Sequence, residues 1–181
     1  MVVYTILADG FEEVEALAVV DILKRAGMDV RTVSIMGYLQ TTGAHKIGVQ
    51  ADMLYEDADF NKCDMIFLPG GMPGTKYLAA HQGLRQQLEK FAQEEKWLAA
   101  ICAAPSVLGE LGLLQGRKAI CYPGFESKLL GADITNCRVV KDGHIFTSKG
   151  MGTAIDLGLA IVEEMLGNEE TEELAKTIQY R

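Results

Sequence analysis

Short apolar runs alternate along this chain with longer stretches in which apolar residues recur at helical spacing. Val2 to Leu7 is β-rich and stops at Ala8-Asp9-Gly10. From about Glu12 to Ala26, Val14, Leu17, Ala18 and Ile22 recur with a helical period, and Gly27 is placed to end the helix. Asp29 to Ser34 predicts a second strand. Leu39 to Leu54 holds short β-like pieces around Gly43 and Gly48, read as a hairpin or an edge excursion.

Met65 to Leu68 predicts a short buried strand ending in Pro69-Gly70-Gly71, followed by a helix from about Gln82 to Glu95. Trp97 to Ile101 is the next strand. Beyond Cys102, Pro105 sits where a first helical turn accepts proline, and Val107, Leu108 and Leu111 continue a short helix to about Gly112. Lys118 to Cys121 is a further candidate strand. Val139 to Lys141 and Ile145 to Thr147 flank the turn Asp142-Gly143, Thr153 to Leu166 is a strongly apolar helix, and Glu169 to Thr177 makes a last, acidic one. Strands alternating with helices imply an α/β fold with a mostly parallel sheet and helices on both faces. Such sheets bind ligands at the carboxyl ends of their strands.

The pattern shows no repeat or linker, and 181 residues, 49% of them hydrophobic, suit one domain spanning 1–181. A formal net charge of −8 and a pI near 4.9 disfavour nucleic acid and anionic membranes as partners. No apolar run approaches the roughly 20 residues that span a bilayer. The opening residues lack the basic region and cleavage site of a signal peptide, so the expected compartment is the cytoplasm. Cys63, Cys102, Cys121 and Cys137 are spread without a CxxC or Cys/His cluster, which argues for free thiols and against a zinc site.

Three strand ends carry candidate chemistry: Ala8-Asp9-Gly10-Phe11-Glu12-Glu13-Val14-Glu15, Leu68-Pro69-Gly70-Gly71 and Ala100-Ile101-Cys102-Ala103-Ala104-Pro105. A cysteine at a helix N-terminus meets unpaired N–H groups and the positive end of the helix dipole, which favour thiolate. The small residues around Cys102 leave room for a sharp turn that pushes the sulfur into a cleft. Gly70 and Gly71 allow close backbone approach and are placed to aim N–H groups at a developing oxyanion. Glu15, beside apolar residues, is expected to have a raised pKa and to serve as proton donor or general base, whereas Glu12 and Glu13 read as solvated helix carboxylates.

The motifs ADGFEEVEA, FLPGGMPG, AAICAAP and TSKGMGTA resemble, in order and spacing, those of the ThiJ/PfpI superfamily. The nearest branch is that of the Parkinsonism-associated deglycase, also called DJ-one, with its bacterial relatives, and the resemblance covers almost the whole chain. It implies a flavodoxin-like doubly wound sandwich, a homodimer, and an oxidation-prone Cys102 hydrogen-bonded to a protonated Glu15. It also implies that the amides of Gly71 and Ala103 bind an oxyanion, that Arg25 lies near the dimer interface, and that no cofactor or metal is needed.

Peptidase-like branches of the superfamily place a histidine directly after the cysteine. Here that residue is Ala103, so a protease is not implied. The animal branch places a histidine before the proline of a later strand-end motif. Here Tyr122 stands there, next to Cys121, and is read as pocket wall. None of His45, His81 and His144 is expected to reach Cys102, which leaves proton transfer to Glu15.

The resemblance implies glyoxalase or deglycase chemistry on methylglyoxal-type dicarbonyls, free or as early protein adducts. The alternative is an oxidative-stress sensor or redox-regulated chaperone acting through oxidation of Cys102, with Cys121 a candidate to condense with the oxidised sulfur.

Overall fold

The computed structural model describes residues 1–180. In chain order its strands and helices are β1 (Val2–Leu7), α1 (Glu13–Arg25), β2 (Asp29–Ser34), β3 (Gln40–Thr42), β4 (Gly48–Gln50), β5 (Met53–Leu54), β6 (Met65–Leu68), α2 (Gly74–Ala80), α3 (Gln82–Gln93), β7 (Trp97–Ile101), α4 (Pro105–Glu110), β8 (Lys118–Ala119), β9 (Asp133–Ile134), β10 (Val139–Asp142), β11 (Ile145–Ser148), α5 (Ala154–Leu166) and α6 (Asn168–Thr177). Seven strands form one sheet in the order β10-β11-β7-β6-β1-β2-β5. All neighbours in it are parallel except β10 and β11, the hairpin around Asp142-Gly143.

The central strands are almost wholly apolar, buried Thr5 of β1 apart, because both faces are covered, and side chains alternate between the two cores. Val3, Met65, Phe67, Ala99 and Ile101 pack on one face with Val19 and Leu23 of α1 and Leu157 and Ile161 of α5. Their neighbours Tyr4, Ile66, Leu68, Leu98 and Ala100 pack on the other with Leu84, Leu88 and Phe91 of α3 and Val107 and Leu108 of α4. This is the flavodoxin-like, doubly wound arrangement. Its strand order reverses direction between β1 and β6, which opens a crevice at their carboxyl ends.

Helix α1 starts where Glu12 caps it, accepting the Glu15 N–H at 2.7 Å. Acidic residues fill its first turn, and Lys24 and Arg25 its last, complementing the helix dipole. The apolar period locates this helix but not its buried face. Val14 and Leu17 point outward, while Glu13, Glu15, Ala16, Val19, Val20, Ile22 and Leu23 are buried. Glu13 is therefore not a solvated carboxylate: it is 3% exposed, covered by the loop between β3 and β4.

Other expectations also change. Leu39 to Leu54 is both hairpin and edge: β3 and β4 pair with each other, and β5 adds to the margin of the main sheet. Helix α2, within the Gly-Thr-Lys-Tyr stretch, offers little apolar periodicity and is anchored mainly through Thr75 and Leu78. Lys118 to Cys121 does not join the sheet. Only Lys118–Ala119 is a strand, paired with β9, and the Ile120 N–H is taken by the Thr147 hydroxyl at 3.0 Å. Among the described residues, no helix is long and apolar enough to cross a membrane.

Candidate functional site

Strand β7 ends at Ile101, and the chain turns at Cys102 with φ = 64°. This left-handed conformation is rare and costly for a residue with a Cβ. Two backbone bonds hold it there: the Cys102 N–H donates to the Ser148 carbonyl at 2.9 Å, and the Tyr122 N–H donates to the Cys102 carbonyl at 2.7 Å. Helix α4 begins only at Pro105. Cys102 thus sits on the elbow ahead of the helix, not in its first turn, and the dipole effect expected from the sequence is correspondingly weaker.

Glu15 approaches the same elbow from α1. It is 1% exposed, and its Oε2 accepts the Gly70 N–H at 2.9 Å. Gly70 lies between the two side chains: a Cβ there would fall 2.6 Å from both the Cys102 Cβ and the Glu15 Oε2. Gly71, at φ = 91°, would drive a Cβ to within 2.3 Å of the Glu12 backbone nitrogen. Glycine at both positions lets the β6 loop close onto the pair.

Burial pushes the Glu15 carboxyl up to about 7. The hydrogen bond with Cys102 opposes this, the charge of Glu12 adds to it, and bonds from the Gly70 and Met151 backbone oppose it. The Cys102 thiol is also pushed up, by burial and then by the charge and hydrogen bonding of Glu15, while the Gly71 and Ala103 backbone groups pull it down. The thiolate expected from position alone is therefore not favoured beside an ionised Glu15. Protonating Glu15 removes the opposing charge and supplies an O–H donor, so the two groups titrate as a pair.

Of the residues singled out in the sequence, Cys102, Glu15, Gly70, Gly71 and Ala103 converge here. Tyr122 joins them as a half-exposed wall: its ring carbon Cδ2 lies 3.3 Å from where a Gly150 Cβ would stand, and Glu15 Oε1 lies 3.9 Å from the same point. Arg25 does not join. It sits ten residues along α1, about 15 Å away by helical rise, and is paired with Asp21 at 2.6 Å.

The histidines lie elsewhere. His81 caps α3 by accepting the Leu84 N–H, and His144 occupies the β10–β11 turn. His45 Nδ1 lies 2.8 Å from Glu13 Oε2. Cys121 is buried in the core that faces α3 and α4, whereas Cys102 packs on the side of α1 and α5. All four cysteines are free thiols.

Sequence reasoning missed the capping role of Glu12 and the bond from Met151 to Glu15, although both residues lie inside the motifs it marked. It also missed the latch formed by Glu13, which accepts the His45 N–H at 2.7 Å as well as its ring. Glu12, Glu13 and His45 are the one group among the described residues whose ligand atoms fall within 4.8 Å of one another, as a metal ion would require. The Glu13 oxygens are already engaged by the loop, which accounts for the cluster without an ion.

Residues 1–164 match the DJ-1/PfpI family. DJ-1 homolog B of Arabidopsis thaliana is 40% identical over 171 residues, which is 94% of this chain and 39% of the plant protein. The chain thus spans well under half the length of that relative. A deglycase of Pyrococcus abyssi is 30% identical over 154 residues, 84% of this chain and 92% of that protein. The structure of oxidised DJ-1 from Toxoplasma gondii matches at a TM-score of 0.94 and 32% identity, covering 98% of this chain and 97% of that one. With the sequence match running from residue 1 into α5 and the fold shared nearly end to end, this chain belongs to the DJ-1/PfpI family, in its DJ-1 branch.

Proposed function

We propose that this protein is a cofactor-independent, cysteine-dependent glyoxalase or deglycase acting on methylglyoxal-type dicarbonyls or their early protein adducts. The observation that carries the reading is the pairing of a strained Cys102 with a buried, proton-holding Glu15 on either side of Gly70. Membership of a family that includes a deglycase of Pyrococcus abyssi supports it.

In this reaction ionised Glu15 takes the Cys102 proton as the sulfur adds to the aldehyde carbon and passes it to the new oxygen, giving a hemithioacetal whose oxygen is met by the Gly71 and Ala103 N–H groups and leaving Glu15 ionised for the next step. Glu15 takes the proton from that carbon and returns one to the neighbouring carbon through an enediol, producing a thioester. Water cleaves the thioester, regenerates the thiol and releases lactate. One carbon is oxidised and its neighbour reduced by two electrons each, so the net change is addition of water and no outside oxidant is required. Addition to a glycated side-chain adduct begins in the same way and releases the side chain. The missing pocket histidine leaves every proton step to Glu15.

The test is lactate formation from methylglyoxal without glutathione, beside Cys102→Ser and Glu15→Gln. Lactate from the unmodified protein alone supports the reading, and none above the variants overturns it.

The raised pKa of Glu15 favours a second reading, an oxidative-stress sensor or redox-regulated chaperone. A protonated carboxyl is a donor to a sulfinate formed at Cys102, and an oxidised form of DJ-1 is among the matching structures. Under either reading we expect a homodimer that uses α1, with the outward Val14 and Leu17 at its start and Arg25 at its end, in a reducing compartment such as the cytoplasm that keeps the four thiols free.

A further inference from the structure

Three large, exposed apolar residues, Met72, Tyr122 and Met151, lie beside backbone that bonds the Cys102–Glu15 pair. Met72 follows Gly71, whose backbone group interacts with Cys102, and is 41% exposed. Met151 bonds Glu15 through its backbone and is 55% exposed. Tyr122 holds the Cys102 carbonyl through its N–H, lays its ring beside Gly150, and is 51% exposed. Single exposed apolar residues need no explanation, but three whose neighbouring backbone bonds one half-buried nucleophile and its carboxyl partner are placed to give the site an apolar rim.

An acidic charge acts on the pair from Glu12. Arg138 is paired with Asp156 at 2.8 Å, whereas Lys149 donates to the neutral Asn136 carbonyl at 3.0 Å and keeps its charge. Methionine adapts to irregular apolar shapes, and a tyrosine ring offers a flat face to another ring.

Building on the proposed dicarbonyl chemistry, we infer that Met72, Tyr122 and Met151 select α-oxoaldehydes whose ketone carbon bears an aryl or bulky apolar group, in preference to methylglyoxal. For phenylglyoxal the balanced reaction is addition of water to give mandelate, with the aldehyde carbon oxidised and the ketone carbon reduced.

Two measurements separate this inference from the reaction itself. The first compares kcat/KM for phenylglyoxal and methylglyoxal, in the unmodified protein and in a Met72→Ser/Met151→Ser variant. The preference for the aryl substrate is expected to be at least about tenfold and to collapse toward parity in the variant. The second needs no turnover: the alkylation of Cys102 by N-benzyliodoacetamide and by iodoacetamide is followed by peptide mass spectrometry, with exposed Cys137 as the reference thiol in the same chain. The benzyl reagent is expected to gain on Cys102 relative to Cys137, and to lose that gain in the variant. If no dicarbonyl is turned over, the glyoxalase reading fails while the alkylation ratio still decides the rim. Parity of the two substrates where turnover occurs, or of the two reagents at Cys102, overturns the inference.

Discussion

Gly70 donates its N–H to Glu15 Oε2 at 2.9 Å, and a Cβ on the same glycine would fall 2.6 Å from that oxygen. One residue thus fixes the carboxyl and keeps open the gap through which it faces Cys102. Gly70→Ala forces the loop or Glu15 aside. We expect a stability loss of about 1–3 kcal/mol, as for an overpacked core, seen as a lower denaturation midpoint. Cys102 alkylation should change with it, and a variant with unchanged midpoint and alkylation rate contradicts this geometry.

Glu15→Gln keeps the shape of the side chain but cannot shuttle a proton. Dicarbonyl turnover should fall by about 10²-fold or more, while Cys102 still alkylates. Cys102→Ser should abolish both. Side-by-side lactate and alkylation assays on the two variants separate loss of the nucleophile from loss of proton transfer.

The raised pKa of Glu15 also makes stability depend on pH. The folded carboxyl holds its proton up to about 7, whereas its ordinary value is 4.5. Between these values the folded state binds a proton that the unfolded chain releases, so this group costs stability as pH rises through that window. Relative to Glu15→Gln, the unmodified protein should lose about 2–3 kcal/mol between pH 5 and pH 8. Urea titrations of both proteins at the two pH values measure this, and a constant difference would falsify it.

Much of the site was legible because each of its parts ends a strand. Cys102, Gly70–Gly71 and Glu15 belong to motifs that follow β7, β6 and β1, and a parallel sheet brings those ends together. The burial of α1 was not legible in the same way. Its inner face carries two glutamates while Val14 and Leu17 face outward, the reverse of what an apolar stripe suggests. The polarity of Glu13 hides its place in the interior because the residues that satisfy it lie 32 positions away, in the hairpin loop at His45. The sharp turn at Cys102 was legible from the small residues of AAICAAP, but neither its left-handed φ of 64° nor the delay of helix α4 to Pro105 was, because nothing in that motif separates a left-handed turn from an immediate helix start.

That hairpin supplies a further prediction. Burial pushes the Glu13 carboxyl up, but hydrogen bonds from His45 and neighbouring backbone groups outweigh it and hold the carboxyl low, while Glu13 in turn raises the His45 imidazole. Glu13→Ala strands the His45 and Ile47 N–H groups and should cost about 1–3 kcal/mol, with faster proteolysis within residues 43–47. His45→Ala, which keeps the backbone donors, should do less on both counts.

Peroxide should distinguish the thiols. Burial raises the thiols of Cys63, Cys102 and Cys121 alike, but Cys63 and Cys121 are closed to solvent whereas Cys102 is half-buried and Cys137 exposed, so oxygen should add first at Cys102 or Cys137. Peptide mass spectrometry after graded peroxide gives the order. If Cys137 alone is modified, the sensor reading loses its basis.

The elbow at Cys102 is clamped on both sides, by the Ser148 carbonyl on its nitrogen and the Tyr122 amide on its oxygen. Its main chain is therefore a fixed mount, and a change at the sulfur, whether an adduct or added oxygens, has no local hinge to swing. Under the sensor reading, such a change would be passed on through Glu15 into α1 or through Tyr122, the two residues bonded to this cysteine. A partner that reads the state of this cysteine would read the outer surface of a helix or the tilt of a ring, and not the opening of a loop.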